Sequence, residues 1–367
     1  MKKNPRSLRR LSRPFRHSLA YLCIVILVKI LGSLPLTWSQ SLGRLTGLLC
    51  SFMLTKPNQV VIQQIQATLC WHHQSQQDQS QTKHNTGDFT SNPNSMSKAT
   101  ESPLSYLPIQ DAQCLSRKHW EDLGQRLFEW LSAKKALCLF GINLEQQKYL
   151  KNIQSQAQQG RAQVILSAHF GHWELMASFL SQQGFTYLAV ASTPPKGPMG
   201  AWLRQYRHKL GVEIVHPKGG ARKIKEALLT GQVVALLIDH STYERSTYAN
   251  FLGKKAPLSL TADRLITRFN AEVHWLSNYR NQQGHYQLLI QKLSITSKPV
   301  NTQVTEQINE HKKNVVNPNL SSLNKQKKEP SSYVLLAHQL LEQQIRKWPQ
   351  QWLWLHQKWT ARHDHQI

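Results

Sequence analysis

The sequence predicts an α/β fold: a largely parallel or mixed central sheet flanked by helices, preceded by an N-terminal membrane-anchoring helix. Three observations predict it. Between residues 144 and 293, short apolar runs alternate with segments of helical periodicity. Two polar residues of catalytic type, His169 and Asp239, end such runs, where open α/β sheets collect their sites. A basic N-terminus leads directly into an apolar stretch of about twenty residues, enough to cross a bilayer core.

The first sixteen residues carry Lys2, Lys3, Arg6, Arg9, Arg10, Arg13 and Arg16, and the apolar run 19–38 follows. No small-x-small cleavage signal comes after it, so it reads as an uncleaved anchor with Lys29 near its centre. The basic flank puts the N-terminus in the cytoplasm. A single crossing would then send the main domain to the other side. A second apolar stretch, 42–54, is broken by Gly43, Arg44 and Gly47 and is too short to span; it reads as an interfacial segment or a return of the chain. Residues 1–55 are therefore taken as basic start and anchor, and 56–367 as one domain. Two stretches, at about 74–103 and 296–332, are polar and poor in large apolar residues, and read as insertions into that domain.

The remaining elements follow in order. A helix is expected over 120–133, with Leu123, Leu127, Trp130 and Leu131 as its apolar stripe, and another over 144–159. Strands are expected at 164–168, 187–192, 212–216 and 233–239. Helices at 175–182, 199–210 and 221–229 alternate with them, the second ended by Gly211. A helix over 257–269 starts at Pro257, a good first-turn residue. A hairpin joins 272–279 to 286–293 around Gln283-Gly284, and a helix over 333–348 precedes Trp352, Trp354 and Trp359. Those tryptophans read as acyl-chain contacts, membrane-interface residues or core packing.

The 367 residues carry 45 Lys and Arg against 20 acidic residues, a net charge of +25. Such an excess suits nucleic acid or anionic lipid. No zinc-finger spacing and no aromatic RNA-binding run is present, so nucleic acid is set aside and a lipid surface favoured. The five cysteines include no Cys-x-x-Cys, which suits reduced thiols and a domain on the cytoplasmic face.

The most informative segment runs from Val164 through His169-Phe-Gly-His-Trp to Glu174. On one helix, residues five apart point about 140° apart. His169 and Glu174 converge only if the chain turns between them, and Gly171 permits that turn. A carboxylate would then hold an imidazole, as for a general base with an orienting partner. A metal reading of His169, His172 and Glu174 lacks ligand spacing, so no metal is expected.

This segment resembles the H-x4-E/D signature of glycerolipid-type acyltransferases and, more narrowly, that of the lipid A late (lauroyl/myristoyl) acyltransferase family. Further blocks occur in the family's order. They are Arg207-His-Lys209-Leu-Gly211, Gly220-Ala-Arg222, the run 229–239 ending in Asp239, Phe251-Leu252-Gly253, and 352–359 with its three tryptophans and His356. The chain departs from the pattern at His172, where Asn is usual, at His240, where Gln is common, and across 243–250.

The resemblance implies a glycerol-3-phosphate acyltransferase-like domain in which His169 is the general base and Glu174 its partner. Arg207 becomes a ligand for phosphate or a surface arginine, with Arg222 a weaker candidate on the same reasoning. Asp239 either orients the base or caps the next segment. The implied reaction moves a fatty acyl group from acyl carrier protein or coenzyme A to a hydroxyl of a lipid A precursor, at the cytoplasmic face of a Gram-negative inner membrane. No cofactor is implied beyond the thioester. The rivals are acylation of another lysophospholipid or glycolipid, and a non-catalytic membrane-bound binding protein of the same fold.

Overall fold

The structure, a computed structural model, describes residues 22, 25–26, 28–69, 108–191, 197–240, 246–295, 332–356 and 358–359. Helix α1 spans Leu36–Met53, α2 Thr55–Leu69 and α3 Ile109–Leu131. Then come β1 (Phe140–Gly141), α4 (Leu144–Gln158), β2 (Gln163–Ser167), α5 (Trp173–Gln182), β3 (Tyr187–Val190), α6 (Pro198–Lys209) and β4 (Glu213–Val215). After these lie α7 (Pro217–Leu229), β5 (Val233–Leu237), β6 (Ser246–Phe251) and β7 (Lys254–Ser259). The last are α8 (Thr261–Phe269), β8 (Glu272–Arg280), β9 (Tyr286–Leu293) and α9 (Tyr333–Lys347).

The main sheet has seven strands in the order β1-β9-β8-β2-β5-β3-β4. Strands β8, β2, β5, β3 and β4 are parallel. Strand β9 runs antiparallel to β8, and β1 follows β9. The sheet is therefore mixed, with its reversed strands at one edge.

Strand β2 is buried along its whole length and splits its side chains between two cores. Val164 and Leu166 join the core that holds α7, α8 and α9, while Ile165 joins the core beneath α4 and α5. That makes three layers, helix–sheet–helix. The connections explain which helix lies where. From β2 the chain steps over β5 to β3, but from β5 it steps back over β2 to β8. Right-handed crossovers in opposite directions place their helices on opposite faces. A crevice opens where the connections of two adjacent strands leave toward opposite faces, and here those strands are β2 and β5.

Two expectations change. The helix expected from Pro257 begins only at Thr261, because Pro257 lies in β7, paired with Tyr248 of β6. The turn of this hairpin is Leu252-Gly253, both at positive φ (52° and 78°). A Leu-Gly turn lacks the Asn-Gly signature of two-residue hairpins. Tertiary contacts hold it: Leu252 is buried, and its N–H donates to Glu342 of α9 at 2.9 Å. On α3, the expected stripe residue Leu127 is exposed, while Arg126 and Glu129 are buried. The helix turns its polar residues inward because they brace the site.

Among the described residues no helix is long and apolar enough to cross a membrane. The expected span 19–38 falls partly outside those residues. Its described part is not one helix, since helical structure stops at Ser33 and restarts at Leu36 after Pro35. The polar stretches 74–103 and 296–332 also lie outside the described residues, apart from Ser332, which caps α9. Cys50, Cys114 and Cys138 are free thiols.

Helix α1 buries Ser39, Gly43, Gly47 and Ser51, one residue per turn, against α3. The backbones touch: a Cβ at Gly47 would lie 2.0 Å from the Trp120 carbonyl oxygen. The opposite face exposes Trp38, Leu42, Leu45, Leu49 and Phe52. Gly47→Ala should therefore lower stability by about 1–3 kcal/mol despite alanine's better helix propensity. Gly32→Ala, where an added Cβ meets nothing within 4 Å, should be neutral or stabilising. Thermal unfolding of both variants checks this.

Candidate active site

The end of β2 leads through Ala168 to His169, and the end of β5 leads through Ile238 to Asp239. Paired neighbours in a parallel sheet deliver these residues side by side. His169 Nδ1 lies 2.9 Å from Asp239 Oδ1, and the His169 backbone N–H donates to Oδ2 at 3.0 Å. Trp352 Nε1 donates to the same Oδ2 at 3.0 Å. Asp239 is fully buried. Burial alone would push its carboxyl up, but His169 and the Trp352 hydrogen bond hold it far below the ordinary range, so it is ionised. An ionised carboxylate only accepts, so Nδ1 carries the proton and Nε2 keeps its lone pair. Burial pulls the His169 pKa down, yet the charge and hydrogen bond of Asp239, with the charge of Glu174, outweigh it and the net shift is upward.

The orienting bond expected from Glu174 thus comes from Asp239. Glu174 stands in the first turn of α5 and pairs instead with Arg207 in the last turn of α6. The Arg207 Nε–H donates to its Oε2 at 3.1 Å, with a second contact from a terminal guanidinium nitrogen. Arg207 and Glu174 both line the cavity beside His169. Arg222 does not; it is exposed on α7. Gly219 and Gly220 fall inside the first turn of α7, not ahead of it.

The turn itself is held from three sides. Gly171 has φ of 59°, and a Cβ there would sit 2.1 Å from the Asn278 carbonyl oxygen, so both conformation and space demand glycine. The Asn278 side chain on β8 accepts the His172 N–H at 2.8 Å. Arg126 on α3 donates to the Gly171 carbonyl. Gln351 accepts the Gly171 N–H, and His169 accepts the Leu353 N–H, both at 3.0 Å. His172 caps α5 by accepting the Leu175 N–H; burial, then Arg126 and Arg280, keep it well below its ordinary pKa.

Behind the turn, buried Glu129 accepts from Tyr286 at 2.6 Å, from Arg280 at 3.2 Å and from Gln40 and Gln125 at 2.8 Å. The C-terminal segment closes the site from below. Trp352 and Trp354 are fully buried, which makes them core residues. Lys358 Nζ donates to the Asp239 carbonyl at 3.0 Å, and burial pulls its pKa down to about 8. His356 packs its ring 4.6 Å from that of His169, and burial with the His169 charge brings it down to about 4.

A cavity of about 580 Å³ opens from His169 and runs between the sheet and α5, walled mainly by apolar side chains. A base at the mouth of an apolar slot suits a substrate with one reactive polar end and a hydrocarbon body. The family model for bacterial lipid A biosynthesis acyltransferases matches residues 117–361. The chain belongs to that family. No individual curated protein matches it. The family's reaction is acyl transfer in lipid A biosynthesis, and the matched span takes in the whole site from Arg126 to Lys358.

The sequence did not point to Arg126, Glu129, Asn278 or Lys358 as part of the site. Only the first two left a trace, as charges inside a helix with an apolar stripe. The pair itself makes a testable statement. Asp239→Asn removes the two largest influences that raise the His169 pKa, and burial with the Arg126 charge then outweighs Glu174 and lowers it. The acid limb of the kcat/KM profile should therefore move from above pH 6.5 to below it. The plateau should fall by about 10²–10⁴-fold as the ring loses its fixed tautomer. An unmoved limb would place the titrating group elsewhere.

Proposed function

We propose that this acyltransferase moves a fatty acyl group from an acyl thioester, on acyl carrier protein or coenzyme A, to a hydroxyl of a lipid A precursor. The observation that carries the reading is a His169–Asp239 pair opening on an apolar slot of about 580 Å³. His169 Nε2 takes the proton of the acceptor hydroxyl as its oxygen attacks the thioester carbonyl carbon. The tetrahedral adduct collapses with cleavage of the C–S bond, and the departing thiolate takes the proton from the imidazolium. Asp239 fixes the ring and balances its charge. Glu174 adds negative charge near the imidazolium and holds Arg207, whose remaining N–H donors suit a phosphate of donor or acceptor.

The step needs a positioned base and a reactive ester, and such bases contribute typically 10²–10⁴-fold. His169→Ala should abolish acyl transfer by the purified protein while leaving its circular dichroism spectrum unchanged. Glu174→Gln should lower the rate strongly. Wild-type turnover by a folded His169→Ala variant would remove His169 from the mechanism. Acyl transfer to lysophospholipid in place of a lipid A precursor would favour the rival acceptor. Lipid binding without turnover by the wild type would favour a binding protein.

Work at a bilayer follows from the acceptor, and the cytoplasmic face of a Gram-negative inner membrane fits the thioester donor. The exposed stripe of α1 and the basic residues ahead of it support attachment there. Leu45→Glu with Leu49→Glu should weaken sedimentation with anionic vesicles and make the remaining binding more salt-sensitive. Unchanged, salt-independent binding would place the attachment elsewhere.

A further inference from the structure

Away from the active site, a smaller cavity of about 180 Å³ opens between α1, α2 and α3, lined by Ser51, Phe52, Asn58, Ile62, Gln113 and Arg117. Two of these residues offer donors to it. Trp120 Nε1, which can only donate, gives its hydrogen bond to Asn58 Oδ1 at 3.0 Å, and Ser116 Oγ donates to the same oxygen at 2.6 Å. The indole thus fixes which end of the amide is oxygen, and that oxygen is fully engaged. The Asn58 amide nitrogen, with two N–H groups, meets no acceptor among the described residues. Arg117 is exposed on α3, and among the described residues no carboxylate pairs with it, Glu121 one turn on included. Helices α1 and α2 add Arg44 and Lys56 and carry no acidic residue. A guanidinium fork beside an amide donor matches the oxygens of a phosphate. The apolar wall points to a lipid. Phe52 belongs both to this cavity and to the exposed stripe of α1, where it is 62% exposed. An interfacial helix lays such a stripe at the boundary between headgroups and acyl chains.

We propose that this cavity holds the phosphate of a bilayer phospholipid, with Arg117 and Asn58 donating to its oxygens and the acyl chains lying along the stripe that ends at Phe52. The lipid is one of the surrounding membrane, bound apart from the His169 cavity. The site rests on the attachment of α1 to the bilayer and adds the contact that orients it. Charge attraction alone draws the protein to any anionic surface. A donor pair fixed between three helices instead selects an anion held rigidly at the level of the lipid glycerol. It also fixes the pose of the protein on the membrane, because α3 carries both Arg117 and Arg126, and Arg126 donates to the Gly171 carbonyl in the turn after β2.

The site is tested by vesicle sedimentation of the full chain. Both vesicles have a neutral galactolipid matrix and equal surface charge. In one the anion is phosphatidylglycerol; in the other it is a diacylglycerol succinate, whose carboxylate hangs on a flexible linker. The wild type should bind the phosphatidylglycerol vesicles on the order of tenfold more tightly, the worth of one hydrogen bond to a charged group. Lys118→Gln removes a neighbouring exposed charge that does not line the cavity. It should weaken binding to both vesicles by a similar factor, about fivefold, and keep their ratio. Arg117→Gln should bring the ratio close to unity. So should Asn58→Asp, which keeps the oxygen that Trp120 and Ser116 hold and replaces the N–H donors. A wild-type ratio near unity, or a ratio that survives in both folded variants, would overturn the site and leave attachment through α1 standing. Loss of the preference in millimolar inorganic phosphate, with ionic strength matched by chloride, would assign the cavity to the free ion and overturn the lipid. No binding to either vesicle would overturn the attachment and the site with it.

Discussion

A carboxylate buried at Asp239 is the constraint from which the rest of the site follows. An ionised group without water must find donors, or it destabilises the fold by several kcal/mol. Asp239 finds them in the backbone and ring of His169 and in the indole of Trp352. Each donor ties a different part of the chain to the same point: the turn after β2, and the C-terminal segment after α9. Lys358 then binds the Asp239 carbonyl and extends the tie to the last described residues. The interaction that holds the His169 ring also docks the segment around Trp352 against the sheet.

The placement of the pair is a consequence of topology. The chain leaves β2 and β5 toward opposite faces of the sheet, stepping over β5 to β3 and back over β2 to β8. The crevice would be shallow if the sheet carried large residues throughout. Alanines at 189 and 235 deepen it into a slot under α5. The buried network around Glu129 and Arg280, together with Arg126 on the Gly171 carbonyl, braces the turn from the side of α3. Helix α1 seats on α3 through glycine contacts, so the apolar outer stripe of α1 and the turn after β2 are fixed to the same helix.

Much of this was legible in the sequence because local patterns and local structure coincide there. The alternation of apolar runs and amphipathic segments gave the layers and most strands, and Gly171 announced the turn beside His169. Sequence proximity favoured Glu174 as the partner of His169, with Asp239 named as a residue that orients the base or caps the next segment; the hydrogen bond is to Asp239. Asp239 lies seventy positions away but one strand over, and only strand order reveals that. Pro257 suggested a helix start and instead sits in a hairpin whose turn is held by Glu342. Arg126 and Glu129 occupy a helix face that periodicity assigns to solvent, and the burial of Leu127 was lost for the same reason. In these cases long-range polar contacts overrode local preference.

In the proposed mechanism Asp239 fixes the tautomer of His169 and leaves Nε2 as the base. Nitrogen-15 NMR of the imidazoles across a pH titration, with His169 assigned by comparison with a His169→Gln variant, measures this directly. The expected result is a proton on Nδ1 in the neutral ring and a pKa above the ordinary 6.5. A proton on Nε2, or a pKa below 6.5, would contradict it.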